Sequence, residues 1–156
     1  MILDIAAAND LEVPPLPPAL RTDMDRLAGY ITGDGNPLDA WGNGTFVPNL
    51  DHALAALQAS PEHDAVVFLR DNSDGQPMDQ PETALNYLQQ FARAAGASDK
   101  PHYLLHTRAG HIDPGHVACL RGAGIAIITG IREGLGAIDR LARWGAAKTD
   151  WQRNSV

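Results

Sequence analysis

The chain has 156 residues, of which 44% are hydrophobic and 20% charged, the make-up of one globular domain with a core of its own. Twelve Lys+Arg against 19 Asp+Glu give a net charge of −7, which argues against non-specific nucleic-acid binding and against docking on an anionic membrane. One cysteine excludes an internal disulfide, and no apolar run approaches the ~20 residues of a membrane span. Met1-Ile2-Leu3-Asp4 lacks the basic start of a signal peptide, so the expected compartment is the cytoplasm.

Residues 1–9 read as the end of an apolar helix, stopped by Asn9-Asp10. Leu11-Glu12-Val13 is a short strand candidate, closed by Pro14, Pro15, Pro17 and Pro18. Leu20, Met24, Leu27 and Ile31 then recur at helical spacing on one face. A turn-dense loop follows, and Pro48 opens a helix carrying Leu50, Leu54 and Leu57. Asp64 to Arg70 is continuously apolar between its charged ends, the pattern of a strand buried on both faces. A polar loop from Asp71 to Pro77 feeds a helix whose start is marked by Asp79, Pro81 and Glu82. Leu85, Leu88, Phe91, Ala92 and Ala95 are its buried stripe.

His102-Tyr103-Leu104-Leu105-His106 is the next strand, and Asp113-Pro114 starts a helix in which Cys119 reads as a small core residue. Ile125 to Thr129 is the last strand. The final helix runs from about Arg132 to Trp144 with Leu135, Ile138 and Leu141 facing inward, and the polar tail 145–156 is expected to fray. Strands and helices alternate with short connections and no hairpin signal. The pattern therefore predicts a doubly wound α/β domain over residues 1–144, with a mostly parallel sheet and helices on both faces.

The densest cluster of turn formers is Gly35-Asn36-Pro37-Leu38-Asp39-Ala40-Trp41-Gly42-Asn43-Gly44. Pro37 fixes its own φ and pushes Asn36 out of the helical region, while Gly35, Gly42 and Gly44 permit positive φ and close backbone approach. Ordering such a loop costs backbone entropy. It therefore reads either as a helix connection capped by Asp39 or as a contact loop for ligand or a partner domain through Gly35, Asn36, Pro37, Asp39 and Gly42. Trp41 either packs under the loop or stacks on a base, and packing is the preferred reading.

Other chemistry is thinner. His106, His111 and His116 are spaced by five across Asp113-Pro114-Gly115, which does not align them on one helix face for zinc. Gly122-Ala123-Gly124 runs from helix into strand, the reverse of a dinucleotide fingerprint, and reads as a helix cap. No Walker motif, serine elbow or Cys–His pair is present. Asp71, Asp74 and Asp79 read as solvated loop acids. His106 falls at the C-terminal end of a strand, the usual ligand-facing rim of an open α/β sheet.

The ordered set Leu11-Glu12-Val13-Pro14-Pro15-Leu16, a helix, and Gly35-Asn36-Pro37-Leu38-Asp39 resembles the flavodoxin-like CoA-ligase domain of NDP-forming acyl-CoA synthetases. Asp64 to Val67, Leu120-Arg121-Gly122-Ala123-Gly124-Ile125 and Gly130 to Leu135 continue the resemblance, which covers residues 4–144 in order. It implies a part in joining an organic acid to CoA with ATP or GTP, through an acyl phosphate and a phosphohistidine. The implied partners are CoA-binding, phosphohistidine and ATP-grasp domains or subunits, with ATP and CoA bound by the complete enzyme and not by this chain alone.

The family's S-G-G-x-G turn and first strand would precede Met1, so the expectation is a truncated or split domain with an exposed apolar edge where that central strand pairs. His106-Thr107-Arg108-Ala109-Gly110 departs from the family's phosphohistidine motif and takes no catalytic role. The competing expectation is a non-catalytic α/β binding or interaction module on the same scaffold. A receiver-like signalling domain is disfavoured, because no acidic pair follows an early strand.

Overall fold

Three apolar runs too short for helices form the sheet. In the computed structural model, which describes residues 2–29, 31, 33–41, 46–74, 81–108 and 110–154, they are β1 (Val66–Arg70), β2 (His102–His106) and β3 (Ala126–Thr129). All pair in parallel in the order β1-β2-β3, with Val66 opposite His102 and His106 opposite both Arg70 and Thr129. The helices are α1 (Ile2–Ala8), α2 (Pro18–Ala28), α3 (Phe46–Ala59), α4 (Pro81–Gly96), α5 (Pro114–Gly122) and α6 (Ile131–Asn154).

Alternation along the strands sends side chains to two separate cores. On one face Val66 and Leu104 meet Leu50 and Leu54 of α3, Tyr87, Leu88 and Phe91 of α4, and Leu120 of α5. On the other, Leu105 meets Ile5 of α1 and Leu135 of α6, with Val67, Leu69 and Ile128 packed alongside. Helices thus cover both faces, as the alternating pattern predicts, in a flavodoxin-like arrangement with three strands among the described residues. A third cluster joins α2 to α3 through Leu16, Leu20, Met24 and Ala53.

The strand buried on all sides is β2, where Leu104 and Leu105 are wholly inaccessible. The apolar run 64–70 is instead an edge strand with half-buried side chains from Val67 to Arg70. Helices on both faces make its sequence continuously apolar, although among the described residues one backbone edge stays open. Because Val66 N–H and Arg70 C=O turn toward β2, the alternate residues Val67 and Leu69 turn their backbone groups to that edge.

Several boundaries differ from the sequence-based expectation. Leu11-Glu12-Val13 is irregular, not a strand: Asp10 turns the chain at φ 54°, Leu11 packs on the α1/α6 core, and the prolines that follow deny a ladder its donors. Gly29, left-handed at φ 75°, ends α2 before Ile31, which still packs on the same cluster from the loop. Asp79 lies outside the described residues. The tail does not fray at Gly145, since α6 continues to Asn154. Ala146, Ala147 and Lys148 favour helix, and Asp139 accepts two bonds from Arg143 Nε at 2.9 and 3.0 Å one turn earlier. Leu141, expected to face inward, is exposed.

One glycine sets how closely α6 approaches the sheet. A Cβ on Gly134 would collide with Leu105 Cδ1 and stand 3.2 Å from Ile128 Cγ2. Among the described residues no helix is long and apolar enough to cross a membrane.

Candidate functional site

Of the residues singled out in the turn-dense loop, Gly35, Asn36, Pro37 and Asp39 are brought together, while Gly42 lies outside the described residues. Gly35 sits at φ 80° against Leu16, where a Cβ would come within 2.8 Å of Cδ1. Leu16 N–H donates to Asp34 C=O at 3.1 Å, and Asn36 Nδ2 donates to Pro14 C=O at 2.7 Å. The Asn36–Pro37 peptide is cis. Asp39 Oδ1 accepts from Trp41 N–H at 2.9 Å, an Asx turn that holds the loop's shape. Buried Asn49 donates to Ala40 C=O at 3.0 Å and ties the loop to the first turn of α3. The loop and the Pro14–Leu16 segment therefore form one clasp.

An aromatic ladder carries that clasp to the end of β1. Trp41 lies 5.3 Å from Phe46, Phe46 lies edge-on to Tyr87 at 4.6 Å, and the Arg70 guanidinium stands 4.9 Å from the Tyr87 ring. Arg70 is the last residue of β1, so the ladder ends at the C-terminal rim of the sheet. Trp41 touches Phe46 on one side and keeps 48% of its surface exposed, so it is not buried under the loop.

At the rim itself the β1 and β2 loops are laced together. Asp74 N–H donates to His111 C=O and Asp113 N–H to Asn72 C=O, both at 3.0 Å, with Ser73 bridging Ile112. Gly130 N–H donates to His106 C=O at 2.9 Å, which adds the turn after β3. This lacing buries Asp71, Asn72, His106 and His116. Asp71, read from sequence as a solvated acid, is instead the centre of the cluster. Its Oδ1 accepts from Ser73 N–H at 3.0 Å and Ser73 Oγ–H at 2.6 Å, and its Oδ2 lies 2.8 Å from Arg108 Nε.

The hydrogen bonds fix the state of His106. Asn72 backbone N–H can only donate, and it points at His106 Nδ1 at 3.1 Å. Nδ1 therefore accepts, the proton sits on Nε2, and the ring is neutral. The 3.9 Å approach of Asp71 Oδ1 to Nδ1 is accordingly a contact with a neutral ring and not an ion pair. Among the described residues His106 Nε2 and Asn72 Oδ1 are buried without a partner, as is His116 Nδ1. These are a donor, an acceptor and a second imidazole nitrogen, all buried at the C-terminal end of the strands. Burial alone would raise the Asp71 carboxyl, but the Ser73 hydrogen bonds and the Arg108 charge hold it below the usual carboxylate range. Burial lowers the His116 imidazole, Asp113 pulls it back up, and Arg70 lowers it further.

Phosphate finds no cradle at the helix N-termini that follow β2 and β3. Asp113 Oδ1 takes the Gly115 and His116 N–H groups of α5 at 2.8 and 3.1 Å. Glu133 folds its carboxylate back over Gly130 at the start of α6, where a Cβ would meet Oε2 at 2.7 Å. Each end already carries a negative charge, so these residues do not fit a nucleotide or CoA phosphate. Among the described residues no three His, Cys, Asp or Glu side chains converge to hold a metal ion. Cys119 is half-buried, and burial raises its thiol.

An open groove lies at the opposite end of the sheet, lined by Gln58, His63, Asp64, Ser98 and Lys100. Its polar groups are largely used by the fold: Lys100 Nζ donates to the Leu57 and Ser60 carbonyls at the end of α3, and Gln58 bonds Ala94 C=O and His102. Among the described residues the rim gathers three buried unpartnered atoms, Asn72 Oδ1, His106 Nε2 and His116 Nδ1, whereas the groove holds one, His63 Nε2. No family model matches this chain, and no curated protein matches it.

Proposed function

We propose that this chain is a domain of an NDP-forming acyl-CoA synthetase, working in the cytoplasm with CoA-binding, phosphohistidine and ATP-grasp domains or subunits. The complete enzyme would convert an organic acid, CoA and ATP to acyl-CoA, ADP and phosphate. The observation that carries the reading is the clasp. The two segments on which the resemblance rests, Pro14-Pro15-Leu16 and Gly35-Asn36-Pro37-Leu38-Asp39, are bonded to each other through Asn36, Asp34 and Leu16. Among the described residues β1 has an open edge, with α1 and α6 on the face beside it, which leaves room for a further parallel strand.

In this role the chain's own residues position and dock; they do not transfer a group. Asp113 and Glu133 keep phosphate off two helix ends, and Asp39 is committed to its turn. The clasp and Trp41 present a shaped, half-apolar surface at the rim for a partner domain. The test is capture of partners on the immobilised chain from a lysate of its source cells, followed by assay of the bound fraction for CoA-thioester formation with acetate or succinate. Thioester, ADP and phosphate in equal amounts support the reading. A bound fraction without ligase activity favours the non-catalytic interaction module.

A further inference from the structure

Beyond Arg143, which still reaches Asn9 C=O and Asp10 after α1, α6 runs past the sheet. At 1.5 Å per residue its 24 residues span about 36 Å, whereas a strand of four or five residues covers only about 17 Å. From Leu141 to Lys148 every residue except Gly145 is exposed. On this overhang Trp144 is 63% exposed, Trp151 70% and Leu141 48%, and the Lys148 ammonium lies 5.2 Å from the Trp144 ring. Isolated exposed apolar residues are ordinary, but these three and Lys148 fall on one stripe.

The stripe has a register. Leu141, Trp144, Lys148 and Trp151 are spaced three, four and three, the a/d spacing of a helix-pairing seam. The spacing is also symmetric about its own midpoint. In an antiparallel pair of α6 helices related by a two-fold axis, Leu141 of one copy meets Trp151 of the other, and Trp144 meets Lys148. Each apolar or aromatic face thus finds a partner in the same stripe, the self-complementarity an isologous interface needs. Gly145, Ala146 and Ala147 keep the centre slim. We propose that this stripe is the dimerisation seam of the protein, its occupant the antiparallel α6 of a second copy.

Charge and area agree. Residues 139–154 carry four cations against two acids, and the rest of the chain carries eight against 17, so each overhang brings positive charge toward its partner's acidic body. At the exposures given, the two tryptophans and the leucine offer on the order of 400 Å² per copy, about 800 Å² in all. A specific interface needs about 1,000 Å². The stripe falls somewhat short of that, so the dimer is a weak one.

Sedimentation of the full chain from about 1 to about 200 μM tests this. The expected result is a mass rising from 16.7 kDa toward twice that value, with Trp144→Glu and Trp151→Glu each weakening association at least tenfold and leaving far-UV circular dichroism unchanged. A second measurement does not depend on those variants. Gly145→Cys, where a Cβ meets open space, lies beside the two-fold axis and in a Cys119→Ser background should form a disulfide-linked dimer on mild oxidation. A wild-type chain monomeric at the highest concentration overturns the proposal. So does undiminished dimerisation of both tryptophan variants, or a dimer that Gly145→Cys fails to link. A monomer whose tryptophan emission shifts with anionic vesicles would assign the stripe to a lipid surface instead.

Discussion

The two histidines at the ends of β2 differ in how completely the fold uses their ring nitrogens. They lie four residues apart on one strand, and both are buried. His102 Nδ1–H donates to Lys100 C=O at 2.7 Å, its Nε2 accepts from Gln58 at 2.9 Å, and its ring packs 5.5 Å from Phe91. Every polar atom of that ring has a use within the fold. His106 also accepts a bond at Nδ1, but among the described residues its Nε2–H has no partner. It sits in the same cluster as the unmatched Asn72 Oδ1 and beside the charged Asp71–Arg108 pair. A buried donor left without a partner costs stability, so the two ends of β2 should answer differently to substitution.

Substitution can break that contrast. The largest effect is expected at His102: His102→Ala removes two hydrogen bonds and the Phe91 contact, a loss of about 2–4 kcal/mol in urea unfolding. His106→Asn keeps an acceptor for the Asn72 N–H and should cost about 1 kcal/mol or less. Equal losses at the two positions would mean that His106 is as fully used by the fold as His102. Gly134→Ala, which forces a Cβ onto Leu105 beneath the same strand, should cost about 1–3 kcal/mol and leave partner capture intact.

Acid sharpens the comparison, because the rim holds two groups, His116 and Asp71, shifted below their ordinary values. His116 is depressed below its ordinary 6.5, so the unfolded chain takes up a proton first and stability falls as pH drops from 6.5 through the folded value. Asp71 is depressed below 3.8, so its contribution is complete above 3.8 and lost as pH falls through its own lower value. Urea midpoints across pH should therefore fall in two steps, with His116→Gln flattening the upper and Asp71→Asn the lower. The smallest effects belong to the clasp. Asn36→Ala should lower stability by about 1 kcal/mol through the lost bond to Pro14, and Asp39→Ala by about 0.5 kcal/mol.

Periodicity made the sheet and helices legible. His102–His106 appears in the sequence as the strand it forms, and Asp113-Pro114 as the cap it is. Polar groups whose partners come from distant segments were not legible. Asp71 reads as a loop acid because the bridge that buries it, Ser73 to Ile112, joins residues about forty apart. The open edge of β1 was hidden for another reason: an edge strand covered by helices on both faces has the same apolar run as a central one. The overhang of α6 escaped because a polar stretch without proline gives no stop signal, and only the sheet's short strands show where the body ends.

Capture followed by ligase assay, run with the wild-type chain and Asn36→Ala side by side, tests the central claim most directly. The expected result is ATP-dependent CoA-thioester formation in the wild-type bound fraction, and at least a tenfold loss of it when Asn36→Ala opens the clasp while the protein stays folded. Equal capture and equal activity with both chains, or a wild-type fraction that forms no thioester from CoA, ATP and acid, would contradict it.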